Sequence, residues 1–342
     1  MKKSNPHQHN LELLRRITPE MRYSGEVPFE QWQKTTREKL AELLGLHLFT
    51  RCEPCLDIEY DIVTNKTREI RFTFQSEQGY FVPCHLLIPK SAKAPLPVAI
   101  CLQGHSTGMH LSLGRPKYYR DEKTVNDGRR ATALWAIRSG YCALVTEQRN
   151  FGECGGTEAG PDCYNSSMTA LLTGRSTVGE RVWDVQRVID ILEKYFPQVD
   201  NRCIICVGGS GGGTTAFYTA CIDERIKVTM PCRSVCEYED SIAPVQHCSC
   251  NYVPSIRRYF EMGDLGGLIA PRKLLVVTGE NDPFFPIDGV KRSFDAIKGL
   301  YDKAGCGENC ELVIGKGGHE PFPDLEWSAL KKLIEIGRNS CE

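Results

Sequence analysis

The chain has 342 residues, and its 42 lysines and arginines against 43 acidic side chains leave a net charge of −1 with no basic run along it. That balance argues against a nucleic-acid or membrane-surface footprint and leaves a small molecule as the expected partner. Seventeen cysteines would suit a disulfide scaffold, but many lie inside apolar runs (Cys84, Cys101, Cys142, Cys203, Cys206), where reduced cysteine behaves as a small buried hydrophobe.

The opening "MKKSNPHQHNLELLRRITPE" lacks the apolar core of a signal peptide, and no segment approaches the ~18 apolar residues of a membrane helix, so a cytoplasmic setting is expected. Residues 1–50 read as a helical arm: Trp32, Leu40, Leu43 and Leu44 share one helical face, and Gly45 marks its end. Residues 51–342 read as one main domain. From Leu56 to Lys90 the pattern shifts to period two, clearest in "EIRFTF", and Gly79 turns the chain into "YFVPCHLLIP", an antiparallel start. Apolar runs without alternation follow at 97–104, 141–148, 203–209, 226–232, 273–280 and 310–317, as expected of strands buried on both faces. Helical periodicity separates most of them, as in Val178, Val182, Val185, Ile189 and Leu192. The prediction is an α/β fold: a mostly parallel central sheet with an antiparallel N-terminal start and helices on both faces. Three long loops, about 105–128, 150–176 and 233–270, each follow a strand's C-terminal end, the edge where open α/β sheets keep their sites.

The run "IICVGGSGGGTT" (204–215) ends a strand in glycines around one serine. No lysine follows, so it is not a phosphate loop, and it fails the dinucleotide spacing. Gly208-x-Ser210-x-Gly212 between a strand and a helix is instead a nucleophile elbow, in which side chains two positions either side of the serine would strike neighbouring backbone. A serine so exposed needs a histidine base and an acid that orients it, in the chain order serine, acid, histidine. "VTGENDPFFP" offers Asp282 just past a strand, with Glu280 as the rival acid, and "GKGGHEPF" offers His319 past the next. The Gly211 N–H at the helix start and the His105 N–H after "PVAICLQG" are the candidate oxyanion donors. The His105 imidazole is assigned no catalytic role. Arg149 either faces the substrate or pairs with Glu147.

The strand order, the Gly208-x-Ser210-x-Gly212 turn, "GENDPFFP" and "GKGGHE" make residues 56–340 resemble the α/β-hydrolase superfamily. "LQGHSTGM", "EQRNFGE" and "HCSCNYVPSIRRYFEMGDLGGLIAPRKLLVVTGENDPFFP" are similar to its acetyl xylan esterase-like branch, near the dienelactone hydrolases. The resemblance implies ester hydrolysis, often of acetylated sugars. Together with the residues it leads to a serine esterase that forms an acyl-enzyme and takes a short acyl group from a carbohydrate or other small hydroxylated ester, with no cofactor. A serine peptidase and a non-catalytic binding protein are the alternatives. For the alcohol, Tyr252 or Tyr259 is expected to stack on a sugar face and Arg257 or Arg258 to bond its hydroxyls. No metal is expected: Cys52/Cys55 has no matching pair, residues three apart in the elbow strand (Cys203, Cys206) face opposite ways, and His247, Cys248 and Cys250 lack the usual ligand spacing.

Overall fold

The computed structural model describes residues 4–336, so the first three residues of the arm and the last six of the main domain lie outside it. Nine strands form one sheet: β1 (Asp57–Val63), β2 (Thr67–Glu77), β3 (Tyr80–Pro89), β4 (Leu96–Leu102), β5 (Cys142–Thr146), β6 (Val199–Gly209), β7 (Ile226–Cys232), β8 (Lys273–Gly279) and β9 (Cys310–Gly315). Their spatial order is β1-β2-β3-β5-β4-β6-β7-β8-β9. The pairs β1–β2, β2–β3 and β3–β5 are antiparallel, and the rest are parallel. The antiparallel start is therefore present, and the strand after it crosses over β5 before the parallel series continues.

The runs without alternation do alternate in space. Val98, Ile100, Ile204, Cys206, Leu274 and Val276 enter one core, while Ala99, Cys101, Ile205, Val207, Leu275 and Val277 enter the other. Both faces of the central strands are thus covered by helices, and each fully buried aliphatic side chain there contributes about 1.5–3 kcal/mol. The helix Thr177–Tyr195 covers the first face with Val178, Val182, Val185, Ile189 and Leu192, all buried, and starts on a Ser176 side chain that accepts from the Gly179 N–H. Among the described residues no helix is long and apolar enough to cross a membrane.

Among its described residues the arm holds two α-helices, Pro6–Arg16 and Phe29–Leu44. The second buries Trp32, Thr36, Leu40 and Leu44 and ends at Gly45, whose φ of +78° is left-handed; a Cβ there would lie 2.7 Å from the Gly174 carbonyl oxygen. The arm grips the last long loop and the turn after it. Glu20 and Met21 N–H donate to the carbonyls of Arg258 and Tyr259, and Gln33 Nε2 donates to those of Gly267 and Ala270. The helix Pro6–Arg16 buries Leu11 fully and Leu14 in part.

Candidate active site

β6 delivers Ser210 above the sheet edge, and the next helix, Gly211–Ile222, begins on it. Ser210 has φ +55° and ψ −123°, a conformation sparsely populated by residues with a side chain. The glycines make it attainable. A Cβ on Gly208 would stand 2.2 Å from the Gly212 oxygen, and one on Gly212 would stand 2.1 Å from the Leu102 oxygen. The serine N–H is anchored on the Cys232 carbonyl of β7 at 2.8 Å.

β8 and β9 bring the other two groups together. Asn281 N–H donates to the Gly317 carbonyl, and a Cβ on Gly279 would meet the Gly318 oxygen at 2.1 Å, so the turns after these strands are locked against each other. Across that contact His319 Nδ1 lies 2.7 Å from Asp282 Oδ2. The Asp282 carboxylate is buried, and its Oδ1 accepts from the N–H groups of Phe284 and Phe285 at 2.9 and 3.3 Å. The imidazole stacks on Phe285, with ring planes 16° apart, and meets Phe284 edge-on. Glu280 is exposed, and among the described residues its carboxylate bonds only Asn281, so it does not reach the histidine.

Ser210 and His319 line the same two adjoining cavities. The first is also walled by Gln103, Arg129, Trp135 and Trp327. The second, about 220 Å³, is walled by His105, Gly211, His247, Phe284 and Phe285. The main-chain N–H groups of His105 and Gly211 donate to no group among the described residues. They flank the serine. A Cβ on Gly104 would lie 3.1 Å from the Ser210 Cβ, and one on Gly211 would lie 2.7 Å from the His105 ring.

The structure places the expected substrate residues elsewhere. Arg149 is buried away from both cavities, ion-paired with Asp184 at 2.8 Å, Glu77 at 2.9 Å and Glu180 at 3.4 Å, with its guanidinium over the Tyr80 ring. It does not pair with Glu147 either, because that carboxyl accepts from Gln103 Nε2 and the N–H groups of Met109 and Glu153. Arg149 holds a strand end in the scaffold. Tyr252 donates its hydroxyl to the Ile242 carbonyl and, with Arg257 and Arg258, lines a separate apolar cavity beside Leu14 and Ile17 of the arm. Arg257 bonds Ile17 and Glu261, Arg258 pairs with Glu20, and Tyr259 carries the Lys39 ammonium over its ring. The arm engages Arg257, Arg258 and Tyr259, and Tyr252 is held by its own loop, outside both cavities that Ser210 lines.

Three groups escaped the sequence reading. Gln148 Nε2 donates to the Gln103 carbonyl, and its Oε1 accepts from Thr215, tying the ends of β4 and β5 to the elbow helix. Arg130 lines both cavities, and its guanidinium makes no hydrogen bond or ion pair to any described residue. Enclosure by the cavity walls, with Arg233 and Arg129 nearby, holds its pKa below the ordinary value, so an incoming anion finds an unneutralised cation. The third is a thiol cluster. His105, Cys163, Cys248 and Cys250 converge from three separate loops, a proximity that no sequence spacing announces.

Comparison with known proteins agrees with this architecture. YtaP of Bacillus subtilis (strain 168), named as a candidate hydrolase, is 28% identical over 257 residues, covering 73% of this chain and 82% of that protein. A candidate acetyl xylan esterase of Bacteroides fragilis NCTC 9343 superposes with a TM-score of 0.79 at 18% identity, over 92% of this chain and 83% of its own. A glucuronoyl esterase from Solibacter usitatus (TM-score 0.64, 16% identity, 94% and 98% covered) and acetyl xylan esterase 1 from Thermoanaerobacterium sp. JW/SL YS485 (0.57, 15%, 96% and 98%) share the fold. With a sheet that turns parallel after its third strand and a strained Gly-Ser-Gly elbow at the edge, the chain has the α/β-hydrolase fold, and its match over residues 9–317 makes it a member of the Abhydrolase family.

Proposed function

We propose that the protein is a serine esterase that hydrolyses short-chain carboxylic esters of small hydroxylated molecules, acetylated carbohydrates among them. The observation that carries this reading is the 2.7 Å contact between the buried Asp282 carboxylate and His319 Nδ1, on a ring that shares both cavities with the strained Ser210. Asp282 holds Nδ1 protonated, which leaves Nε2 as the base. His319 takes the Ser210 proton as Oγ attacks the acyl carbon, and the N–H groups of Gly211 and His105 receive the negative charge that forms on the carbonyl oxygen. The Gly211 donor sits at a helix start, where the partial positive charge adds to the effect. His319 then returns the proton to the leaving alcohol, and water repeats the sequence on the acyl-enzyme.

The two cavities divide the ester between them, with the acyl carbon at Ser210. Neighbours named as acetyl xylan and glucuronoyl esterases support a carbohydrate ester as the substrate class. In place of the aromatic and arginine residues that lie outside both cavities, Arg130 is the side chain that meets an oxygen-rich or anionic substituent. The test is labelling by a fluorophosphonate probe together with turnover of p-nitrophenyl acetate. Ser210→Ala should abolish labelling and lower kcat on the order of 10³-fold or more, with the folded state retained. Near-wild-type turnover in that variant would reject the assignment.

A further inference from the structure

The three long loops over the sheet edge meet at one point. His105 comes from the loop after β4, Cys163 from the loop after β5, and Cys248 and Cys250 from the loop after β7. One ring nitrogen and three sulfurs lie within 4.8 Å of one another, and His105 Nε2 stands 3.2 Å from the Cys250 sulfur. Tetrahedral zinc, with Zn–S about 2.3 Å and Zn–N about 2.0–2.1 Å, sets its ligand atoms about 3.5–3.8 Å apart. The four donors are therefore already gathered to nearly that spacing. Cys163 and Cys250 are buried against Phe151, so the cluster is dry on that side.

The charge around the cluster points the same way. Arg181 is 2% exposed and has no carboxylate at ion-pair distance among the described residues. Its guanidinium donates instead to the sulfurs of Cys250 at 3.4 Å and Cys163 at 3.7 Å, and to the Arg149 carbonyl at 2.8 Å. A buried cation without a counter-charge is costly, and neutral thiols would supply none. Three thiolates, a neutral imidazole and a divalent cation carry a net charge of −1, which Arg181 offsets. Soft sulfur donors with one imidazole favour zinc over oxygen-seeking cations.

We propose that His105, Cys163, Cys248 and Cys250 bind one zinc ion. Binding releases the thiol protons, and the four protein ligands fill the tetrahedron, leaving no position for water or substrate. The ion is thus a clamp and not a Lewis acid for the ester. It joins the three loops that wall the Ser210 cavities and fixes the His105 ring, which lies over Gly211 and is part of the residue whose N–H flanks the serine. The inference rests on the donor set and the charge, and stands apart from the esterase reading.

The experiment measures metal, not turnover. Protein made in zinc-supplemented medium and purified without chelator or metal-affinity resin should contain about one zinc per chain by elemental analysis. Cobalt exchange should give the intense visible bands of a tetrahedral thiolate site. Cys163→Ser and Cys250→Ser should lower zinc to below about a tenth per chain, while Cys55→Ser, at an exposed position, should keep it. If the variants do not fold, the wild type decides alone: stripping by a chelator should speed proteolysis within residues 105–128, 150–176 and 233–270, and zinc should reverse it. Zinc-free wild-type protein from such medium, a cobalt form without thiolate bands, or full zinc in both folded variants would each overturn the proposal.

Discussion

Replacing Asp282 by asparagine changes one atom, and the structure says which way the new amide must point. Oδ1 accepts from two main-chain N–H groups, those of Phe284 and Phe285, so the asparagine carbonyl oxygen has to stay there; an NH₂ at that place would face two donors. The NH₂ then faces His319 Nδ1 at the 2.7 Å contact. Only an unprotonated Nδ1 can accept from it, which moves the ring proton to Nε2, the atom that should take the Ser210 proton. The working tautomer now sets two donors against each other. Losing a hydrogen bond to a charged group costs about 1.5–3 kcal/mol and a buried unmatched donor about 1–3 kcal/mol. Together they amount to about 2.5–6 kcal/mol, or ~10²- to 10⁴-fold in kcat. The assay is steady-state hydrolysis of p-nitrophenyl acetate with Tm measured alongside, and Glu280→Gln as the exposed control, expected to match the wild type. A kcat within tenfold of wild type for Asp282→Asn, or a larger loss for Glu280→Gln, would refute the orientation argument.

In a series of p-nitrophenyl esters, kcat/KM should fall beyond about four acyl carbons, because Gln103, Arg129, Arg130 and Glu326 interrupt the apolar wall that a long chain needs to gain about 0.8 kcal/mol per methylene; a steady rise toward octanoate would contradict it. Arg130→Gln should lower kcat/KM about tenfold or more for an acetyl ester whose alcohol carries a carboxylate, and little for p-nitrophenyl acetate, whereas equal losses on both would deny Arg130 a role in recognising charge. Burial pushes the Glu147 carboxyl up to about 7, against the opposing hydrogen bonds from the Met109 and Glu153 N–H groups. Between the unfolded value near 4.5 and that folded value the native state binds the extra proton, so stability falls as pH rises through this window. Urea unfolding at pH 5 and pH 8 should show Glu147→Gln losing ~1–3 kcal/mol less than the wild type across the interval, and identical pH slopes would dismiss the shift.

The sequence disclosed what local chemistry encodes. An elbow serine, an acid past one strand and a histidine past the next are each marked by a few consecutive residues, and the sheet supplies the long-range contact that joins Asp282 to His319. The order of β4 and β5 was not legible, since periodicity reports burial and not neighbours. Arg149 was misread because a cation at a strand end looks the same whether it meets a substrate or, as here, the acids of a packed helix, Glu180 and Asp184. Tyr252 and the two arginines after it were misread for a related reason: nothing in their own loop reveals that the arm, more than 200 residues earlier, lies against it. The thiol cluster was split among three loops, and a spacing rule that works within one segment passes over it.

The arm's grip on the 252–270 segment bears on the order in which the molecule assembles. Ile17, Arg22 and Gln33 bond partners 240, 242 and 234 residues further along, so these contacts of the arm wait until Arg257, Asp264 and Gly267 have been made. Closing a loop of that length before the domain exists would cost about 5 kcal/mol in chain entropy alone, beyond a constant term. These contacts therefore form late, and Trp32, which packs against Gly267, stays uncovered on the nascent chain until that residue has emerged, whereas Leu44 lies against Gly179 of the Thr177–Tyr195 helix and is covered earlier. Until then this early helix exposes an aromatic side chain that the finished fold buries, which adds a site of aggregation during synthesis to the unpaired strands of the parallel sheet.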